Sequence, residues 1–270
     1  HNVQWRRLEA PTVSTTALTE GTPPSATNVT VRSVSATVSQ YGQFTYVSDV
    51  LSIAAIDPIL EELVEAYGDA AANALDQVVR NVMVAGTTVQ FASTAASRGN
   101  TGSGMRMTFA ELREAVDTLE RNDAKPVVDG KYISIIHPDT KRDMFGDSDI
   151  VTGFQQAGIR GAGNPLFTGE IGDLYGTRFV MSSNARIFSS AGLSGADIYG
   201  TMIIGKGYYG ITEFSEQTLR TIVKAPGSGG TNDPLDQFGT VGWKASLAAA
   251  RLNESAGVRI EHTTSRSNAA

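Results

Sequence analysis

The sequence predicts an α+β fold in which helices come early and strands late, with extended segments that lack a core of their own. Three observations carry this. Apolar residues recur at helical spacing from Leu60 to Val82, β-prone runs follow one another after Thr177, and the first 27 residues show no periodicity at all.

Residues 1–27 are rich in Ser and Thr and include Pro11, Pro23 and Pro24, so they read as an N-terminal arm ordered only by neighbours. Between Asn28 and Ser39, Val29, Val31, Val34 and Val38 interleave with Thr30, Arg32, Ser35 and Thr37, as a strand requires. A turn at Gln40-Tyr41-Gly42 is expected to lead to a second strand from Phe44 to Val50, making 28–56 an extended hairpin loop. A two-stranded ribbon is marginal in water, so this hairpin is expected to lie on another chain. Val31, Val34, Tyr41, Gly42 and Phe44 are its candidate assembly contacts, and Gly161 and Gly163 are two more in the glycine-rich loop from Gly158 to Gly163.

Asp57-Pro58 opens a long helix, since Asp caps free N–H groups and Pro fits the first helical position. Leu60, Leu63, Val64, Tyr67, Ala71, Ala74, Leu75, Val78 and Val82 form one buried stripe over about seven turns. Glu61, Glu62, Glu65 and Asp69 load its first half with acid, as the helix dipole favours. Thr87 to Phe91 reads as a short strand. Thr108 and Glu111 have capping-box spacing, ahead of a helix with Phe109, Leu112, Val116 and Leu119 on its apolar face. Lys131 to Ile136 is a buried strand and Pro138 to Phe145 a short helix. Strands are expected at 179–181, 198–204, 208–214, 219–223, 241–249 and 258–262, and the residues from Thr263 on read as a polar tail.

At 28.5 kDa the 270 residues can bury a full core. Charged residues make up only 19%, against roughly 25% in ordinary soluble domains. So thinly charged a surface suits a protein covered by its neighbours. The net charge of −6 argues against a protein that grips nucleic acid, but not against one that encloses it. With no cysteine, disulfides, thiolate catalysis and thiolate metal sites are excluded. No apolar run approaches membrane-spanning length, so no membrane partner is expected. The stretch after Arg6-Arg7 lacks the apolar core of a secretory signal.

Four motifs invite chemistry. Gly205, Gly207 and Gly210 match a dinucleotide-binding spacing after a strand. Yet Ile211 to Phe214 is β-prone where a helix should start, and Tyr208 and Tyr209 sit where the backbone must approach a pyrophosphate. A turn between strands is therefore preferred, with a nucleotide-dependent cytosolic enzyme as the alternative. His137-Pro138-Asp139 could orient an imidazole, but no Gly-x-Ser-x-Gly elbow supplies a nucleophile. The preferred reading is a helix opening with Arg142 and Asp143 solvated. Asp143, Asp147 and Asp149 lack the spacing of a calcium loop. Trp243, among the small residues from Gly239 to Ala250, suits packing better than base stacking, because basic neighbours are few. No catalytic residue, cofactor or metal is expected.

Ordered blocks run through most of the chain: Gln40-Tyr41-Gly42, Ser48-Asp49, Asp57 to Leu60, Ala71 to Asp76, Ile136 to Thr140, Gly169 to Gly172, Tyr175 to Phe179, Ser182 to Asn184, Ile204 to Lys206 and Tyr209-Gly210. In this order they resemble the major capsid proteins of tailed bacteriophages, in a podophage-type branch. The resemblance implies the Hong Kong 97 phage capsid fold, with an N-terminal arm (1–27), an extended hairpin loop (28–56), a peripheral domain with the spine helix (57–130), an axial domain (131–236) and returning C-terminal strands with a tail (237–270). It implies a structural protein whose hexamers and pentamers build an icosahedral shell around double-stranded DNA, without sequence-specific binding. Portal, scaffolding and cementing proteins are the partners it implies. The virion, assembled in the host bacterial cytoplasm, is the location. A non-viral nanocompartment shell of the same fold is the other alternative.

Overall fold

The structure, a computed structural model, describes residues 1–9, 11–54, 59–156, 172–213, 219–228 and 234–266. The Asp57-Pro58 helix opening and the Gly158–Gly163 loop, with Gly161 and Gly163, lie outside the described residues.

Strands β1 (Asn2–Leu8) and β2 (Val31–Thr37) pair antiparallel into a separate two-stranded ribbon, from Asn2 opposite Thr37 to Leu8 opposite Val31. Strand β3 (Ser39–Ser48) follows after Val38 alone, and it pairs antiparallel with the long strand β12 (Phe238–Arg251). The expected hairpin of 28–56 is thus corrected. Its two strands exist, but Gln40-Tyr41-Gly42 is not a turn, and neither strand pairs with the other. Alternation identifies a strand without identifying its partner, and Asn2–Leu8 within the expected arm supplies one. Gly42 serves close strand approach, since a Cβ there would meet the Trp243 carbonyl at 2.7 Å.

Helices α1 (Asp49–Ala54) and α2 (Ile59–Val84) come next. On α2, Ala71 is fully buried against Trp243 and Ala245 of β12, with Tyr67, Ala74 and Leu75 beside it, as the stripe predicts. Strand β12 is flanked by β3, β10 (Tyr209–Glu213) and β11 (Arg220–Lys224), giving a four-stranded sheet under this helix.

The larger core lies on a seven-stranded sheet. Its main path runs β4 (Val89–Phe91), β13 (Gly257–His262), β9 (Ile198–Ile204), β5 (Tyr132–Ile136), β7 (Thr177–Met181) and β6 (Asp173–Leu174), and β8 (Arg186–Phe188) pairs with β9. Helix α3 (Phe109–Arg121) buries Leu112, Ala115, Val116 and Leu119 in it, alongside residues of β5, β9 and β13. Thr108 caps α3 by accepting from the Glu111 N–H. The other half of the capping box is diverted. The Glu111 carboxylate accepts instead from the Ser93 N–H at 2.8 Å and from Gln90 at 2.9 Å.

The C-terminal carbonyls of α2 need partners, and no basic residue lies in its last turn. Distant segments supply them. Arg251 donates to Val82 O at 2.8 Å, Tyr208 to Met83 O at 2.6 Å, and Arg259 to Val84 O and Gly86 O. Cations at this end also suit the helix dipole. Helices α4 (Pro138–Met144) and α5 (Ser148–Gln156) complete the fold, the latter unexpected from sequence.

Candidate assembly surfaces

The glycine motif is a turn. Strand β9 ends at Ile204, Gly207 takes φ +75°, and β10 begins at Tyr209. Tyr208 points inward to cap α2, and burial pushes its hydroxyl up to about 12. Added Cβ atoms at Gly86 and Gly257 would collide with its ring or hydroxyl. The segment is thus core-forming, with β-structure where a nucleotide site needs a helix.

His137 opens α4, its Nδ1 accepting the Asp139 N–H at 3.1 Å. Asp143, expected to be solvated, is instead only 5% exposed and accepts from the Ser265 N–H at 2.6 Å. Sequence could not foresee this, because Ser265 belongs to a tail 122 residues away. Asp147 accepts from the N–H groups of Phe109 and Asp149, both at 2.9 Å, and so orders the start of α3 and of α5. Among the described residues no group of His, Asp and Glu could hold a metal ion. Trp243 lies 6% exposed beneath α2.

Surfaces remain that the fold does not cover. On the four-stranded sheet the face away from α2 carries Phe44, Tyr46 and Phe238, which are 61%, 65% and 48% exposed. Their rings meet edge to face, Phe44 on Tyr46 at 5.3 Å and Tyr46 on Phe238 at 6.0 Å. With Ile222, Gly242 and Lys244 they line an open groove of about 590 Å³. Alternation along β3 explains the arrangement. Tyr41 and Val47 turn toward α2 and Phe44 and Tyr46 turn away, so one strand serves the core and an open face at once.

The ribbon is the second surface. Its base rests on the body, Trp5 lying over Gly210 and Arg7 donating to Leu252 O at 3.5 Å. Val34, opposite Trp5, is half-buried there, and Val31, opposite Leu8, is 54% exposed. Beyond them the connection through residues 11–30 is exposed throughout, Val13 and Leu18 included. So Val31 and Val34 sit on the ribbon, Gly42 and Phe44 on the grooved face, and Tyr41 on the inner face of β3.

The sequence profile of the phage capsid protein family matches residues 30–260. No curated protein matches the chain. Solved structures similar to it include the capsid of cyanophage Pam1, at 15% identity and a TM-score of 0.73, covering 98% of this chain and 85% of that one. The capsid of Ralstonia phage GP4 is similar at 14% identity and a TM-score of 0.73, covering 97% and 83%. The head of Helicobacter pylori bacteriophage KHP40 is similar at 12% identity and 0.71, covering 97% and 85%. The likeness extends over nearly the whole chain, and it is a likeness of fold.

Proposed function

The chain belongs to the phage capsid protein family and is a structural, shell-forming protein of the virion, and we propose that its shell is an icosahedral container for double-stranded DNA. The exposed aromatic groove carries this reading. Three rings together on an open sheet face are a liability for a lone subunit and an interface for an assembled one. A second copy of this chain is the occupant we assign to it, with Gly42 and Phe44 in the contact. The ribbon, with Val31 and Val34, supplies the other half of the exchange. Each contact is modest, but a closed shell gives every subunit several at once.

The net charge of −6 supports enclosure of DNA without sequence-specific binding, since an acidic wall repels the packed polymer. Hexamers and pentamers of one chain would share the shell, with the ribbon taking up the difference. The domain division would be a peripheral domain at 57–130, to which the strands of 237–270 return, and an axial domain at 131–236. The packing of Ala71 on Trp243 and Ala245 of β12 supports the return of those strands. Portal, scaffolding and cementing proteins would be the partners, and the bacterial cytoplasm the place of assembly.

Removing 11–29 and joining the ends with a short Gly/Ser linker tests the exchange. Circular dichroism should report an intact fold, because β1, β2 and both cores are untouched. Electron microscopy and light scattering should find monomers or small rings. Normal shells from the shortened chain would overturn the role of the ribbon.

A further inference from the structure

At the C-terminal end of α2, three guanidiniums gather round a single ring. The central carbons of Arg98, Arg186 and Arg259 lie 3.6, 5.1 and 5.8 Å from the centre of Phe188. They come from three separate segments, the turn at Arg98–Asn100, β8 and β13. The ring itself is fixed, since it packs on the larger core and lies against Gly200 of β9, where a Cβ would touch it at 3.4 Å. With the last turn of α2 these side chains line an open cleft of about 340 Å³.

Charge in this cleft does not cancel. The fully buried Glu261 carboxylate accepts from Arg98 Nε at 2.7 Å and Nη2 at 2.6 Å, and from Arg259 Nε at 2.7 Å. One carboxylate thus serves two guanidiniums, and Arg259 turns its Nη1 to the carbonyls of Val84 and Gly86. Arg186 makes no hydrogen bond or ion pair among the described residues, and its contact is the ring. The charges alongside are matched and add nothing. Asp76 acts on Arg80 as an opposite charge, and Arg251 pairs with Glu254 at 2.9 Å. Three cations facing one carboxylate leave a surplus of two positive charges. The negative end of α2 offsets about half of one charge. Nη1 of Arg98, Nη2 of Arg259 and the whole fork of Arg186 find no acceptor among the described residues, so N–H groups stand ready for a ligand.

We propose that this cleft binds a phosphate, inorganic or carried as a monoester by a small molecule, which bridges Arg98, Arg186 and Arg259 at the end of the spine helix. Such a group carries about −1.5 to −2 at neutral pH, which matches the surplus. Its tetrahedral oxygens can accept from several guanidinium forks at once. A carboxylate or a DNA phosphodiester brings a single charge and would leave part of the surplus unanswered. The net charge of −6 also keeps a DNA polyanion away, while a small anion pays little for that field. The bound ion would tie β8, β13 and the turn at Arg98–Asn100 to the end of α2, so it would stabilise the folded subunit by linkage. This site goes beyond the shell-forming reading and does not depend on it.

Calorimetric titration of the unassembled chain with inorganic phosphate, against chloride at matched ionic strength, tests it. Saturable binding with a dissociation constant of about a millimolar or tighter is expected. The melting temperature should rise with phosphate as that site fills. Phosphate also stabilises proteins by exclusion from their surface, but that effect does not saturate. Arg186→Gln removes a guanidinium that holds no other polar group, so its melting in chloride serves as the folding control. Its affinity for phosphate should fall about tenfold or more, and Arg186→Lys, which keeps the charge without the fork, should fall between. Glycerol phosphate separates the two sources. Competition with inorganic phosphate admits monoesters, and binding of inorganic phosphate alone confines the site to the free ion. No saturable binding of either, or unchanged affinity in Arg186→Gln, would overturn the site. A short DNA duplex that bound there without competition from phosphate would overturn the choice of ligand. None of these measurements reads assembly, so their failure leaves the shell-forming function standing.

Discussion

His262 is sealed within β13, and its hydrogen bonds fix its protonation state. Its Nδ1 lies 3.0 Å from Thr263 O, which can only accept, so Nδ1 carries the proton. Nε2, 3.0 Å from the Thr201 hydroxyl, is then the acceptor. Burial lowers the pKa to about 4, with the Thr263 carbonyl and Asp143 pulling weakly the other way. His137, on the far side of the Tyr199 ring, is also lowered, mainly by burial. The unfolded chain therefore binds more protons than the folded one between pH 6.5 and 4, and stability falls as pH drops through that window. For His262 the full loss is on the order of 3 kcal/mol. Melting of the unassembled chain should drop between pH 7 and 5, and His262→Gln should remove most of that slope. Glu254, whose pKa burial would raise but hydrogen bonds from Thr87 and Arg251 bring down, stabilises the fold above about pH 4.5, and that contribution is lost only as pH falls further. A slope unchanged in His262→Gln would show that the ring is not the titrating group.

Among the elements, α2 does two jobs through two different devices. Its middle packs small residues against the sheet, with Ala71 directly under Trp243 and Ala245. Its end relies on Arg251, Tyr208 and Arg259 from the C-terminal half of the chain. The first device is legible in sequence, because helical spacing selects Ala71, Ala74 and Leu75. The second is not, because residues 125 to 175 positions away share no local pattern with the helix they cap. Ala71→Trp should overpack the contact and cost on the order of 1–3 kcal/mol or more, while Ala72→Trp, on the exposed side, should cost far less. Urea melts of the two variants that coincide would show the helix face to be misassigned.

For the whole molecule the open question is what the uncovered apolar surface does. If the groove of Phe44, Tyr46 and Phe238 is an interface, Phe44→Glu should leave the melting of the unassembled chain nearly unchanged. That ring is more than half exposed and supports no core. The same substitution should prevent closed shells, read by sedimentation and electron microscopy, since a charge buried at an interface without a partner is strongly opposed. Full assembly by Phe44→Glu would remove the groove from the contact.

Local patterns were enough for the spine helix, the capping of α3 by Thr108, strands β5, β9 and β13, and the turn between strands at Gly205–Gly210. Each depends on spacing or turn chemistry within a few residues. The order of blocks along the chain sufficed for the family. Pairing was decided elsewhere. That β2 joins Asn2–Leu8, that β3 joins a strand about 200 residues later, and that Asp143 meets Ser265 all follow from where the chain returns after long excursions. A strand's alternation says which face is apolar but is silent on which edge finds which partner, and only the closed tertiary structure supplies that.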